Sequence, residues 1–178
     1  MLYYGVFFQE NTLNNSSSIH FFVIMTNAEL DPTDVQILKL LQQDASLTNK
    51  ELSYKLHKSI ATIHERVRRL KEQGYIKRIV AILDRKKINK NLIAFSQVLL
   101  NDHTADTLNT FEREVVKFPE VMECFQMTGT FDFILRVATG DMDEYHRFYR
   151  KLGTLPKITS VQSFFVLSET KSDTAYPL

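Results

Sequence analysis

Three runs of hydrophobic residues at helical spacing occupy the first half of the chain. The first follows Asp31 and Pro32, an N-cap residue and a proline at the first helical position. The second follows Thr48, and Glu51 three residues later predicts a capping box. The third ends at Gly74, where a glycine commonly stops a helix. The pattern predicts three helices, the last two joined by a tight turn as in a helix-turn-helix.

The third predicted helix has two different faces. Ser59 can cap its start, and its apolar positions should face the core: Ile60, Ile63, Val67 and Leu70. At about 100° per residue, the opposite face carries Ala61, Glu65, Arg68 and Glu72, with Thr62 and Arg69 at its edge. A basic outer face on the second helix of a helix-turn-helix is typical of a recognition helix that enters the major groove of DNA.

Residues 75–83 are rich in β-forming side chains and include Lys77 and Arg78 near their start. We expect a hairpin wing there that touches the phosphate backbone. The polar and basic residues 84–91 follow, and a solvated linker is the favoured interpretation of that stretch. The alternative is a set of additional phosphate contacts from Arg85, Lys86, Lys87 and Lys90.

Strand and helix signals alternate from Leu92 onward. We predict strands over residues 92–100, 121–128, 131–138 and 158–167, and helices over residues 102–117 and 141–153. Asp141 and Glu144 have capping-box spacing at the start of the second of these helices. The βαββαβ order is that of a ferredoxin-like fold, so the fold class is α+β, with an N-terminal winged helix-turn-helix domain and a C-terminal ferredoxin-like domain. Such a sheet leaves one face in need of cover, and we expect a second copy to supply it.

The first 25 residues differ from the rest, because aromatic runs flank a stretch rich in Asn and Ser. They lack the basic start of a signal peptide, and the apolar run 19–25 is too short to span a membrane. We expect translation to start at Met25; a native N-terminal arm or strand is the alternative. The expected division is an extension over 1–25, a DNA-binding domain over 26–84, a linker over 85–91 and a C-terminal domain over 92–178.

The distribution of charge supports a nucleic-acid partner. The chain is 44% hydrophobic and 24% charged, with a net charge of only +1. Residues 27–90 hold 14 basic against 8 acidic side chains, a net +6, whereas residues 91–178 hold 8 against 12, a net −4. Because the basic half also carries the helix-turn-helix pattern, double-stranded DNA is the favoured partner, and chance asymmetry is the alternative.

Other kinds of chemistry find little support in the residue pattern. The single cysteine excludes an internal disulfide and a cysteine zinc site, and is compatible with a reducing cytoplasm. The five histidines lack ligand spacing, and no G-x-S-x-G, P-loop or paired-carboxylate cleft is evident. We expect no metal, no cofactor and no catalytic residue, and we expect Cys124 to be a core side chain within a strand.

The residues expected to face DNA are Ser59, Ala61, Thr62, Glu65, Arg66, Arg68, Arg69, Lys77 and Arg78. Arginine can pair with guanine through two hydrogen bonds, and Thr or Ala can contact the thymine methyl group. For Arg68 and Arg69, contact with phosphate is an equal alternative. Glu65 either accepts from cytosine or orients a neighbouring arginine by an ion pair. For Arg66, which lies nearer the core edge, an ion pair within the domain is at least as strong an expectation.

Three stretches of the chain resemble the Lrp/AsnC family of transcription regulators. They are LDPTDVQILKLLQQDASLTNKELSYKL, SIATIHERVRRLKEQGYIKRIVAILD and PEVMECFQMTGTFDFILRV, in the family's order and spacing. The resemblance covers roughly residues 30–178, and residues 1–24 have no counterpart in the family pattern. It implies a DNA-binding domain joined to an amino-acid-sensing domain. It also implies dimers that assemble into tetramers, octamers or larger discs.

The resemblance further implies an effector site at a G-x-x-D turn formed by Gly129-Thr130-Phe131-Asp132. Gly129 should supply a positive φ or a close approach of the chain. The backbone N–H groups of the turn suit an effector carboxylate, and Asp132 suits its ammonium group. A plain turn capped by Asp132 is the alternative interpretation. The expected site residues are Met127, Thr128, Gly129, Thr130, Phe131, Asp132 and, at the end of the last strand, Ser168.

These features favour a sequence-specific transcription regulator whose assembly or DNA affinity responds to a small effector, expected to be an amino acid. An architectural protein that wraps DNA with little sequence preference is the alternative. An enzyme under the control of an amino-acid-binding domain is a weaker hypothesis, because the helix-turn-helix and wing leave no catalytic domain. The expected location is the cytoplasm, on the nucleoid and without membrane contact.

Overall fold

The computed structural model describes residues 30–178. The expectations for an N-terminal extension and a start at Met25 therefore lie outside the described residues. Three helices are followed by a four-stranded sheet with two further helices. The bounds are α1 Pro32–Gln43, α2 Asn49–Leu56, α3 Ile60–Glu72, β1 Leu92–Leu100, α4 Ala105–Val115, β2 Val121–Gln126, β3 Phe133–Thr139, α5 Met142–Leu152 and β4 Ile158–Phe165.

The starts of the first three helices confirm the predicted caps. The Asp31 carboxylate accepts hydrogen bonds from two backbone N–H groups of the first turn of α1. Thr48 and Glu51 form the reciprocal capping box of α2, and the Ser59 hydroxyl accepts from the first turn of α3. Gly74, with φ of +79°, turns the chain just after α3, as predicted from its position.

The helix-turn-helix domain has a small apolar core. Its fully or almost fully buried side chains are Ile37, Leu38, Leu52, Ile63 and Leu70. Val67 packs against them as predicted, but Ile60 is 52% exposed, so its predicted place in the core is wrong. Side chains on a helix lean toward its N-terminus, so at the first position of α3 the Ile60 side chain extends beyond the packed helices.

A buried carboxylate fixes α3 against α1. Asp34, only 2% exposed, accepts from Arg66 Nη1 at 2.9 Å and from Arg69 Nη2 at 2.6 Å. Arg66 also pairs with Asp31. The hydrogen bonds to Asp31 and Asp34 raise the pKa of Arg66 above its ordinary value, and the bond from Arg66 lowers the pKa of Asp31. Charge-assisted bonds of this kind hold the helix in one rotational position.

The segment after α3 departs from the prediction of a hairpin wing. Within the described part of the chain, residues 75–83 form no strand, so the predicted hairpin is wrong. A hairpin needs a second antiparallel segment, but the chain turns at residues 85–89 and enters β1 instead. Ile79, Val80, Ile82 and Leu83 are consequently exposed along an extended stretch.

Residues 84–91 are attached to the C-terminal domain. Lys90 Nζ pairs with Glu144 Oε1 at 2.7 Å, and Arg85 lies 3.4 Å from Glu169. Two of the four basic side chains considered for phosphate contact are therefore engaged within the chain, whereas Lys86 and Lys87 are exposed.

The C-terminal domain confirms the βαββαβ prediction. Its antiparallel sheet has the order β2-β3-β1-β4. The buried core lies between the sheet and α4 and α5, and consists of Ala94, Val98, Leu100, Phe111, Val115, Phe133, Leu135, Val137, Tyr145, Phe148 and Leu152. Cys124 of β2 packs against this core, and burial raises the pKa of its thiol to about 11.

The predicted capping box of α5 is only half formed. Asp141 accepts from the backbone N–H of Glu144 at 2.7 Å, as predicted. The Glu144 carboxylate does not return to Asp141, however, but accepts from the backbone N–H of Gly140 and from Lys90. The ion pair with the linker thus redirects the side chain that would complete the box.

The other face of the sheet carries aromatic side chains. Phe95 of β1, Phe125 of β2 and Phe164 of β4 alternate with helix-facing positions and are each more than a third exposed. Arg136 Nη2 pairs with Glu123 Oε1 at 2.9 Å on the same face. This apolar face bears out the expectation that one side of the sheet is left without cover in a single chain.

The C-terminal residues return from the sheet to the helix-turn-helix domain. The backbone N–H of Tyr176 donates to Gln42 Oε1 at 2.7 Å, and Gln42 Nε2 donates to the Tyr176 carbonyl at 3.2 Å. One side-chain amide on α1 therefore pairs with both backbone polar groups of a tail residue.

Replacement of Asp34 by Asn should destabilise the helix-turn-helix domain by about 1–3 kcal/mol, because a buried charge partner of two arginines is lost. Asp31→Asn is the matched control, since Asn remains a good N-cap and the Asp31 side chain is 40% exposed. We expect it to cost less than about 1 kcal/mol. Urea unfolding followed by circular dichroism measures both. Equal losses in the two variants would contradict the assigned role of Asp34.

A methyl group at Gly140 should disturb the attachment of the linker. An added Cβ would lie 2.8 Å from the Asn89 carbonyl oxygen, so Gly140→Ala should cost about 1–3 kcal/mol. Gly153→Ala is the control, because its Cβ would meet no atom closer than 3.6 Å and its φ of −65° suits alanine. Thermal unfolding should show a lower midpoint for the first variant and an unchanged or higher one for the second.

Candidate DNA-binding surface and effector site

The outer surface of α3 begins with small polar and apolar side chains. Ser59, Ala61 and Thr62 are exposed at its N-terminal end. The Ser59 and Thr62 hydroxyls lie 2.8 Å apart and share a hydrogen bond. This bond fixes the two side chains at the N-terminal end of α3, which is the end that a recognition helix directs toward the base edges.

Arg68 occupies the middle of this surface between two carboxylates. Its Nε lies 3.0 Å from Glu65 Oε2, its Nη2 lies 2.5 Å from Glu65 Oε1, and its Nη1 lies 2.6 Å from Glu72 Oε1. All three side chains are more than half exposed. The hydrogen bonds to Glu65 and Glu72 raise the pKa of Arg68, and the bond from Arg68 lowers the pKa of Glu65.

The neighbouring arginines have a different orientation. Arg66 and Arg69 both point toward α1, where Asp34 accepts a hydrogen bond from each. Arg69 is 42% exposed and donates one Nη group to Asp34, whereas Arg66 is 24% exposed and also pairs with Asp31. The geometry favours the ion pair that sequence reasoning already weighed for Arg66.

Further basic groups surround α3. Lys77 and Arg78 are exposed on the extended segment that follows it. On α2, Lys50 and the aromatic side chain of Tyr54 are also exposed, and Tyr54 is 82% exposed. These two residues lie four positions apart, on the face of α2 opposite the buried Leu52.

The turn predicted to bind the effector, here called the effector turn, lies between β2 and β3. The Met127 backbone N–H donates to the Asp132 carbonyl at 2.7 Å, which closes the turn. Gly129 has φ of +120°, which confirms the expected need for glycine at this position. Met127, Thr128, Gly129 and Thr130 are exposed, and Phe131 is half-buried.

Asp132 connects this turn to the end of β1. Its Oδ2 accepts from the backbone N–H of Leu100 at 2.7 Å, and its Oδ1 lies 3.0 Å from His103 Nε2. The carboxylate is only 15% exposed. Both carboxylate oxygens of Asp132 are thus directed to the end of β1 and the loop after it, and not to the turn that contains Asp132. No sequence signal identified His103, which follows β1 in a loop.

Ser168 is far from the other expected effector residues within one chain. Because β4 runs antiparallel to β1, Phe165 lies beside Ala94, whereas the turn meets β1 near Val98. The end of β4 and the effector turn are thus at opposite ends of the sheet. Sequence reasoning placed Ser168 near the end of a strand but had no means of fixing which end of the sheet that was.

Residues 30–178 contain no group of three or more His, Cys, Asp or Glu side chains arranged to hold a metal ion. No helix within this range is long and apolar enough to cross a membrane.

Both domains match known families. Residues 30–77 match the winged helix-turn-helix DNA-binding family, and residues 93–176 match the Lrp/AsnC ligand binding domain. The Bkd operon transcriptional regulator of Pseudomonas aeruginosa is 38% identical over 152 residues, which cover 85% of this chain and 99% of that protein. The glutamate uptake regulatory protein of Zymomonas mobilis is 37% identical over 150 residues, which cover 84% of this chain and 92% of that protein.

Solved structures show the same architecture. An AsnC family transcriptional regulator from Agrobacterium tumefaciens is 33% identical, with a TM-score of 0.79 over 83% of this chain and 96% of that chain. A transcriptional regulator from Neisseria meningitidis in complex with L-Met is 34% identical, with the same TM-score and the same coverage of both chains. With both domains matched in this order and relatives similar over nearly their whole length, the chain belongs to the Lrp/AsnC family of DNA-binding transcription regulators.

Proposed function

We propose that this regulator reads a specific DNA sequence with paired α3 helices and responds to an amino-acid effector. The observation that carries the proposal is the exposed outer surface of α3 on a helix that Asp34 fixes against α1. The proposed base-facing residues are Ser59, Ala61, Thr62, Glu65 and Arg68, with Arg69 at the edge; Lys77 and Arg78 contact phosphate, and Arg66 supports the helix.

The regulator acts as a homodimer in this proposal. The aromatic face of the sheet, with Phe95, Phe125 and Phe164, supplies a surface whose burial against a second copy stabilises the pair. Paired subunits would present two α3 helices to half-sites about one helical turn apart. Dimers assemble further into tetramers or octamers on the DNA of the cytoplasmic nucleoid.

The effector in this proposal binds at the turn from Met127 to Asp132. The turn is open to solvent in the single chain, so a second subunit has to supply the other wall of a pocket. Backbone N–H groups of Gly129, Thr130 and Phe131 bind the carboxylate, and Asp132 Oδ1 accepts from the ammonium group. A structural neighbour bound to L-Met supports an amino acid as the effector class. Ser168 can contact this effector only if it comes from a neighbouring subunit.

The architectural alternative is favoured by one observation. Two carboxylates neutralise the only arginine at the centre of the outer surface of α3, whereas Lys86 and Lys87 are exposed for phosphate contact. An architectural protein of this kind would bind DNA strongly but with a small specificity ratio.

Fluorescence anisotropy with a site selected from random DNA tests the DNA-binding proposal. We expect binding to the selected site to be at least about a thousandfold tighter than to scrambled DNA. Lys77→Ala should weaken both by a similar factor and reduce the salt slope by about one. Lys117→Ala, on α4 and paired with Glu114, is the control and should change neither. A ratio near one for the wild-type protein would favour the architectural alternative.

A thermal-shift screen of the twenty amino acids, followed by calorimetry, tests the effector proposal. One amino acid should raise the melting temperature, because it binds the folded state. Asp132→Asn keeps the shape of the side chain but removes its charge. It should weaken the binding of that amino acid by about tenfold or more. Asp143→Asn, exposed at the start of α5, is the control. Undiminished binding by the Asp132 variant would remove that carboxylate from the site.

A further inference from the structure

The outer surface of α3 carries more negative than positive charge at its centre. Glu65 and Glu72 flank Arg68, so these three exposed side chains sum to a net charge of −1. DNA carries about one negative charge per 1.7 Å of helix axis. The charge at the centre of this surface therefore opposes DNA unless Glu65, Arg68 and Glu72 find specific partners in the groove.

We propose that Glu65 is a specificity-determining residue, whose carboxylate penalises wrong DNA sequences more than it assists the right one. The inference rests on the proposed function, because it assigns the discrimination between sequences to one side chain of the proposed DNA-binding surface. Affinity then comes mainly from phosphate contacts elsewhere, and Glu65 sets how much of that affinity an incorrect sequence retains.

The geometry of the ion pair supports this assignment. Glu65 binds the Nε edge of Arg68 with both carboxylate oxygens, at 3.0 and 2.5 Å. This edge is one that arginine uses to pair with a planar acceptor group. When Arg68 separates from Glu65 to contact DNA, both side chains lose hydrogen bonds. These bonds are replaced only where DNA offers acceptors to Arg68 and a donor to Glu65.

A G·C base pair meets both demands in the major groove. Guanine presents O6 and N7 as acceptors for an arginine, and cytosine presents its N4 amino group as a donor for a carboxylate. An A·T pair in the same place presents the thymine O4 acceptor and a methyl group on one side. A carboxylate pressed against those atoms is desolvated without a donor, which is costly. We therefore expect a cytosine at the position that faces Glu65.

Glu65 and Glu72 differ in their position along α3, and therefore in their expected contact with base edges. The N-terminal residues of a recognition helix contact base edges, and Glu65 lies in the first half of α3. Glu72 is the last residue of α3 and makes a single hydrogen bond to Arg68. The two carboxylates have similar exposure, at 61% and 57%, so they form a matched pair for an experiment.

Glu65→Gln and Glu72→Gln keep the side-chain shape and remove one charge each. Anisotropy titrations of the full chain with the selected site and with scrambled DNA, over a range of salt, give the specificity ratio of each. We expect Glu65→Gln to bind scrambled DNA more tightly and the selected site no more tightly, so that its ratio falls about tenfold. Glu72→Gln should strengthen both complexes by a similar factor and leave the ratio within about twofold.

Selection of sites with the Glu65 variant provides a second measurement. The preference for cytosine at one position of each half-site should be lost, while the other positions keep theirs. A specificity ratio equal to that of the wild-type protein would overturn the inference, as would equal changes in the two variants. A wild-type ratio near one would instead overturn the proposed sequence-specific function, so the two failures are distinguishable.

Discussion

The carboxylate of Asp34 is the group on which the DNA-binding surface depends. The apolar core behind α3 consists of few side chains, and the hydrophobic attraction between them has no directional preference. Arg66 and Arg69 lie three residues apart on α3 and meet the two oxygens of one buried carboxylate. Together with the buried Ile63 and Leu70, these two bonds fix the rotation of the helix, so that Arg68 and Glu65 face outward.

A single strand, β3, connects the turn proposed to bind the effector with the linker. The chain passes from Asp132 at the effector turn directly into β3, and it leaves β3 at Gly140. At that far end, the carbonyl of Asn89 in the linker lies so close to Gly140 that no side chain fits between them. Glu144 then binds both Gly140 and Lys90. A shift of β3 along its length would therefore displace the effector turn and the residues that contact the linker together.

Local signals allowed most of the fold to be predicted from the sequence. A cap such as Thr48 with Glu51 acts within four residues, and the strand predicted over residues 92–100 has the bounds observed for β1. Errors arose where the partner is distant in sequence. The residues of the expected hairpin wing form no strand, Ile60 lies beyond the packed helices, and the Glu144 side chain turns to Lys90.

The candidate sites were predictable to a lesser degree for the same reason. Helical periodicity identified the outer face of α3, but the ion pairs that direct Arg66 and Arg69 toward Asp34 span more than thirty residues. The contact of His103 with Asp132 likewise joins a loop to a turn nearly thirty residues away. Contacts between residues so far apart in the chain produce no periodic pattern in the sequence.

The return of the tail to α1 restricts how the two domains can turn against each other. A body attached at one point can swivel in any direction, whereas a body attached at two points rotates only about the line that joins them. The linker is one point of attachment, and the contact of Tyr176 with Gln42 is the other. While both hold, two segments of the chain join the helix-turn-helix domain to the C-terminal domain, and release of the tail leaves the linker to hold them alone.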